Sequence, residues 1–197
     1  MKKVLWIIFL TACLGGSTQA GLVEFNFDAL APGTDDIGIG SYMTDLYGDT
    51  VTVTGATSYP YSGVNPLIAL GPDQYIADAV PGAHQFTIEF AVPITSVSFN
   101  WARSDDPFKL EAIYAGGTVQ VFSAETGMTN GGSGSGLEEI DFLDVLGSPV
   151  TGLFFHDGGK GAIGIDNLVV NAVPLPASIL LGAFAVGLAG WKFRMWV

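Results

Sequence analysis

The chain has 197 residues, 49% of them hydrophobic and 13% charged, with 19 acidic residues against seven basic ones and a formal net charge of −12 at pH 7. A sequence this acidic repels nucleic acid and anionic lipid surfaces. Its single cysteine, Cys13, excludes an internal disulfide framework, so the fold must hold by its hydrophobic core.

In chain order, the first segment reads as an export leader. Lys2 and Lys3 form a basic start, residues 4–10 an apolar stretch, and Thr18-Gln19-Ala20 a small-residue cleavage site before Gly21, so residues 1–20 are expected to be a signal peptide that engages the export machinery and signal peptidase. Leu10-Thr11-Ala12-Cys13 offers an alternative, a lipobox that would make the protein a lipoprotein anchored at Cys13. Cleavage after Ala20 is favoured because the apolar core before Cys13 is short.

Residues 21–171 have the size of one domain able to bury a core without crosslinks. All 19 acidic residues lie between Glu24 and Asp166, opposed there by three cations, Arg103, Lys109 and Lys160, a formal −16. Periodicity in this region is two. Val23, Phe25 and Phe27 alternate with Glu24, Asn26 and Asp28; Val97, Phe99 and Trp101 with Ser98 and Asn100; Leu110, Ala112 and Tyr114 with Glu111 and Ile113. Further runs at residues 51–54, 86–90, 118–122, 140–143, 150–156 and 163–170 also read as strands, and no stretch reads as a helix. Gly-rich and Asp-Pro turn signals at 115–117, 157–159 and 104–107 separate them, and residues 131–136, Gly-Gly-Ser-Gly-Ser-Gly, read as a flexible loop. About nine short strands predict an all-β domain, a two-sheet antiparallel sandwich of jelly-roll type.

The inventory for catalysis is thin. The histidines are His84 and His156, no Gly-x-Ser-x-Gly elbow or His-Glu-x-x-His helix occurs, and the Gly-rich stretch lacks the Lys and Ser/Thr of a phosphate loop. Glu89, Glu111 and Asp141 are the carboxylates available for a glycosidase pair, but in so acidic a domain chance pairs are the default. His156 beside Asp157 reads as an exposed turn residue, and no enzyme is expected. Candidate binding residues are Tyr59 and Tyr61, flanking Pro60 in a turn-like segment where rings can stack on a sugar. Trp101 alternates with Val97 and Phe99 and is assigned to the core. Asp35-Asp36 and Asp105-Asp106 are further oxygen clusters without EF-hand spacing.

Residues 172–197 form the last segment. Pro174 and Pro176 keep Val173-Pro174-Leu175-Pro176-Ala177 extended, residues 179–191 are apolar, and Lys192 and Arg194 sit among aromatics as at a membrane interface. Thirteen residues fall short of a full span, which residues 175–196 approach if the cations snorkel.

This tail resembles the PEP-CTERM sorting signal, most closely its VPLPA variant, with Leu175 where the commonest form has Glu. The resemblance implies a transient C-terminal transmembrane helix, an exosortase as processing partner, and a protein exported through an inner-membrane intermediate to the cell surface or the extracellular matrix. Phe27-Asp28-Ala29-Leu30-Ala31-Pro32-Gly33-Thr34 and Ile163-Gly164-Ile165-Asp166-Asn167-Leu168-Val169-Val170 resemble the opening and closing strands of secreted bacterial sandwiches. In carbohydrate-binding jelly rolls those strands often share a structural calcium, for which Glu24, Asp28 and Asp166 are the candidate ligands here. The resulting expectation is a non-enzymatic surface or matrix protein associated with exopolysaccharide; the alternative is a secreted carbohydrate-binding module or glycoside-active enzyme that uses the tail only for delivery.

Overall fold

The computed structural model describes residues 21–59, 75–78, 85–103, 107–124, 134–157 and 163–173. The leader with Cys13, the tail from Pro174 through Lys192 and Arg194, Tyr61, His84 and the Asp105-Asp106 pair lie outside these residues. Among the described residues no helix is long and apolar enough to cross a membrane. Gly21–Val173 form one compact unit.

Among the described residues ten strands follow in chain order: β1 (Leu22–Phe25), β2 (Val51–Thr54), β3 (Ala56–Tyr59), β4 (Tyr75–Asp78), β5 (Gln85–Arg103), β6 (Phe108–Tyr114), β7 (Gly117–Ala124), β8 (Gly134–Asp141), β9 (Val150–His156) and β10 (Ile163–Ala172). Two described helices interrupt them, α1 (Asp36–Tyr47) and α2 (Phe142–Leu146). Every strand pairing is antiparallel.

The long strand β5 organises the sandwich. Its first half lies between β2 and β9, and the sheet continues through β6 to β7. Its second half lies between β10 and β8, with β1 and β4 along the far side of β10 and β3 beyond β4. The register with β9 jumps between Glu89 and Ile94, the stretch containing Pro93, so one strand serves both layers by bending between them. Here the sequence reading needs correction: residues 86–90 and 97–101 are not two strands but parts of one, because Ile94 and Ser96 continue the ladder to β9, β10 and β8.

Aromatic side chains join the layers. Phe99 of β5 meets Phe108 of β6 at 6.1 Å between ring centroids and Phe155 of β9 at 5.5 Å, the latter edge to face. Trp101 meets Phe108 and Phe122 at 5.3 and 5.9 Å. These rings interdigitate at the spacing that favours offset and T-shaped pairs, and they make the centre of the core. Trp101 is buried there as its alternation predicts. Opposite its indole stands Gly136, where a Cβ would lie 2.9 Å from Trp101 Nε1. Residues 134–136 therefore belong to β8 and are not a loop; ladder bonds to β5 and room for the indole select glycine there.

Helix α1 was not expected. Its signals are local but sparse: Asp35 caps it by accepting a hydrogen bond from Gly38 N at 3.0 Å, and Gly48 ends it with its N–H on Thr44 O. Asp35 and Asp36 are thus helix-start residues; Asp36 also accepts from Gly55 N at 3.2 Å. The buried stripe is narrow, Ile39, Gly40 and Met43, so the apolar period is weak. Tyr47 at its end packs between Phe90 of one layer and Phe25 of the other, at 5.3 and 6.4 Å, which closes that side of the core. Residues 140–143 also need correction: the strand ends at Asp141, whose carboxylate caps α2 through Leu143 N and Asp144 N at 2.8 and 3.3 Å.

Candidate functional site

The outward face of the first layer carries a row-aligned set of polar and aromatic side chains. On β5, Phe86, Ile88 and Phe90 point inward, leaving Gln85, Thr87 and Glu89 outside. On β9, Leu153 and Phe155 point inward, so Phe154 and His156 face out; on β6 the outward residues are Lys109, Glu111 and Ile113. Register aligns them in three rows: Gln85, His156, Lys109; Thr87, Phe154, Glu111; and Glu89, Gly152, Ile113.

Two contacts fix this face. The Phe154 and His156 rings stack at 4.9 Å with an 18° interplanar angle, as i and i+2 neighbours on one strand face. His156 Nε2 lies 3.1 Å from Glu111 Oε1, and since a carboxylate only accepts, the ring N–H donates. His156 is half-buried in a strand and partnered, not an exposed turn residue, because β6 runs beside it and supplies the carboxylate. At the third row, a Cβ on Gly152 would lie 3.0 Å from Ile113 Cδ1 and 3.4 Å from Glu89 Cγ. Glycine lets these two side chains close over the strand.

Glu89 and Glu111 share this face, two strands and two residues apart, about 12 Å between Cα atoms at ladder spacings, and Glu111 reaches toward the His156 row, where it is engaged by the ring.

The second layer presents a different outer surface. A shallow cleft of about 460 Å³ runs over Leu22, Ser96, Ser98, Glu139, Asp141 and Val169, with no aromatic in its lining. It contains Asp141, the third carboxylate singled out from sequence, which is engaged in capping α2.

The remaining expected residues scatter. Glu24 is exposed on β1 opposite Val169, Asp28 is exposed in a 3-10 turn at Phe27–Ala29, and Asp166 is only 3% exposed on β10. Among the described residues no group of three or more acidic, His or Cys side chains gathers to hold a metal, so the structure does not bring the expected calcium ligands together. Between Asp166 and Val169 the pairing with β5 shifts, Asn167 takes φ 49°, and Asp166 accepts from Asn167 N at 2.7 Å and Nδ2 at 3.2 Å. Tyr59 is the last residue of β3, paired with Tyr75, and is half-buried in a strand rather than placed in a turn. Of the sorting motif only Val173 is described, its N–H bonded to Pro93 O at 2.8 Å. Sequence reasoning missed Phe154, because Leu153, Phe154 and Phe155 are apolar in succession and parity alone does not say which faces out.

No protein-family model matches this sequence, and comparison with curated proteins returns no match. Solved structures do resemble it. A family 29 carbohydrate-binding module is 15% identical, with 78% of this chain and 89% of that one covered and a TM-score of 0.41. A variant of such a module complexed with mannohexaose gives 15% identity, coverage of 78% and 92%, and a TM-score of 0.41. A third, a variant used to probe ligand recognition, gives 15%, 77% and 90%, and 0.40. Likeness at this level assigns neither a ligand nor a family.

Proposed function

We propose that this chain is an exported, non-enzymatic glycan-binding protein of the cell surface or extracellular matrix, and that the outer face of β5, β9 and β6 is its sugar-contacting surface. The observation that carries this reading is the Phe154–His156 stack beside Glu111, Thr87 and Gln85. Sugars are recognised by apolar contact of ring C–H faces with aromatic surface together with hydrogen bonds from fixed polar groups. The partnered arrangement, with Glu111 engaged by His156, favours holding a polymer segment over cleaving it. The sorting tail fits the same reading: Val173-Pro174-Leu175-Pro176-Ala177, with Lys192 and Arg194 behind the apolar run, would be handled by an exosortase and deliver the domain to the envelope.

The test is affinity electrophoresis against a panel of neutral polysaccharides, with reducing-end release assayed in parallel. The protein should be retarded by at least one polymer without releasing sugar. Phe154→Ala should weaken retention about tenfold, as expected for losing one stacking contact of roughly 1–1.5 kcal/mol. Retention that survives both Phe154→Ala and Glu111→Gln would move the site elsewhere, and release of reducing ends would make the protein an enzyme.

A further inference from the structure

The outer face of the second layer is grooved. Along its middle runs β5, whose outward residues there are the short Ser96 and Ser98. Register sets Ser96 between Asn171 of β10 and Asp141 of β8, and Ser98 between Val169 and Glu139, while Leu22 and Glu24 of β1 extend the two rows. Outward side chains in one row stand side by side at strand spacing, so short residues on one strand between longer ones on its neighbours make a trough. This is the cleft of about 460 Å³.

Its lining carries chemistry that the fold does not consume. Among the described residues the half-buried Ser96 and Ser98 hydroxyls and the exposed Glu139 carboxylate have no hydrogen-bond or ion-pair partner. Asp141 caps α2 through Oδ1 alone, at 2.8 and 3.3 Å, which leaves Oδ2 unbonded. Leu22, 75% exposed, and Val169 add apolar surface. The carboxylates do not converge: Glu139 and Asp141 stand roughly 7 Å apart between Cα atoms, and Glu24 roughly 14 Å from Glu139 at strand spacing. Among the described residues no three acidic, His or Cys side chains gather around one point, as a metal ion would require. A ligand whose positive charges are spread along a chain has no such requirement.

Size and charge narrow the class of ligand. The volume is that of a small-molecule site and not of a macromolecular interface. A domain of formal charge −16 concentrates cations at its surface. With no aromatic in its lining, the groove offers a sugar no stacking platform. We infer that it binds a linear aliphatic polyamine, at a site separate from the outer face of β5, β9 and β6. Ammonium groups donate to Glu139, to Asp141 Oδ2 and to the serine hydroxyls, and the methylene segments between them lie against Leu22 and Val169.

The experiment is equilibrium dialysis of the full chain in non-ionic detergent against labelled spermidine, at about 0.15 M salt, where diffuse attraction between exposed charges is largely screened. One saturable site is expected. Glu139→Gln should weaken it at least fivefold, and Ser98→Leu, which fills the floor without changing a charge, at least tenfold, with near-UV circular dichroism unchanged in both. Asp45→Asn removes an exposed carboxylate on α1 that does not line the groove and should leave binding within twofold. Absence of saturable binding, equal losses in Glu139→Gln and Asp45→Asn, or binding that survives Ser98→Leu overturns the inference. So does displacement of spermidine by magnesium at equal charge, which would make the groove a counterion patch, or tighter binding of a lysine-rich peptide, which would make its occupant a protein segment.

Discussion

Asn167 shows how one residue's backbone shapes the neighbourhood of a buried carboxyl group. It is the one described non-glycine residue with positive φ, at 49°, and it sits in the β10 bulge where its backbone and side-chain N–H groups both reach Asp166. Asparagine tolerates the left-handed region, and a β-branched residue does not. Asn167→Val should therefore cost about 1–3 kcal/mol from strain and the lost side-chain bond, whereas Asn167→Gly should be nearer neutral; urea midpoints at constant m-value would measure both. Equal losses in the two variants would mean that the side-chain bond, and not the backbone, holds the bulge. From the sequence, Asp166 was readable as a special carboxylate, but its burial was not, because its place against Asn100 depends on a register shift between β10 and β5.

At the scale of the element, α1 carries its own pH dependence. Burial, and secondarily the Asp49 carboxylate, raise the Tyr47 phenol well above its ordinary value, and its hydroxyl donates to Val92 O at 2.7 Å. A phenol that titrates higher folded than unfolded contributes stability that is fully present below about pH 10. That stability is lost as pH rises beyond 10 toward the folded value. Wild-type protein should accordingly lose melting temperature more steeply above pH 10 than Tyr47→Phe does. At pH 7 the order reverses, the variant being less stable by about 1 kcal/mol for the missing hydrogen bond. Tyr42, also raised by burial, then Asp28 and Glu24, is common to both proteins and cancels in the comparison. Parallel alkaline slopes in the two proteins would show that Tyr47 ionises as freely folded as unfolded.

On the scale of the whole molecule, the ends of the folded unit leave side by side. Leu22 pairs with Asn171, and Val173 is held by Pro93 O, so the expected sorting motif begins where β10 stops. In the native host the surface form should lack residues 191–197 by intact mass, and Pro174→Ala with Pro176→Ala should block that processing, since the sorting reading rests on the extended backbone that proline favours. Recovery of an intact C-terminus from the cell surface would leave a plain tail anchor in place of a sorting signal.

The sequence by itself determined that the domain is built of antiparallel strands, because period-two alternation in residues such as 97–101 and 110–114 is local information that the pleat converts directly into one buried and one open face. It also determined the acidity and the burial of Trp101. Only the tertiary structure decided that β5 serves both layers, that residues 134–136 pair as a strand, that a weakly amphipathic helix closes the core beside Tyr47, and that Phe154 faces outward while Leu153 and Phe155 face in. The candidate site was legible only in fragments: Glu89, Glu111 and His156 were visible as chemistry-bearing residues, but nothing in their spacing of 22 and 45 positions told that adjacent strands would set them on one face. Those outcomes depend on which strands become neighbours, and strand pairing is a non-local choice made by the packing of the whole core.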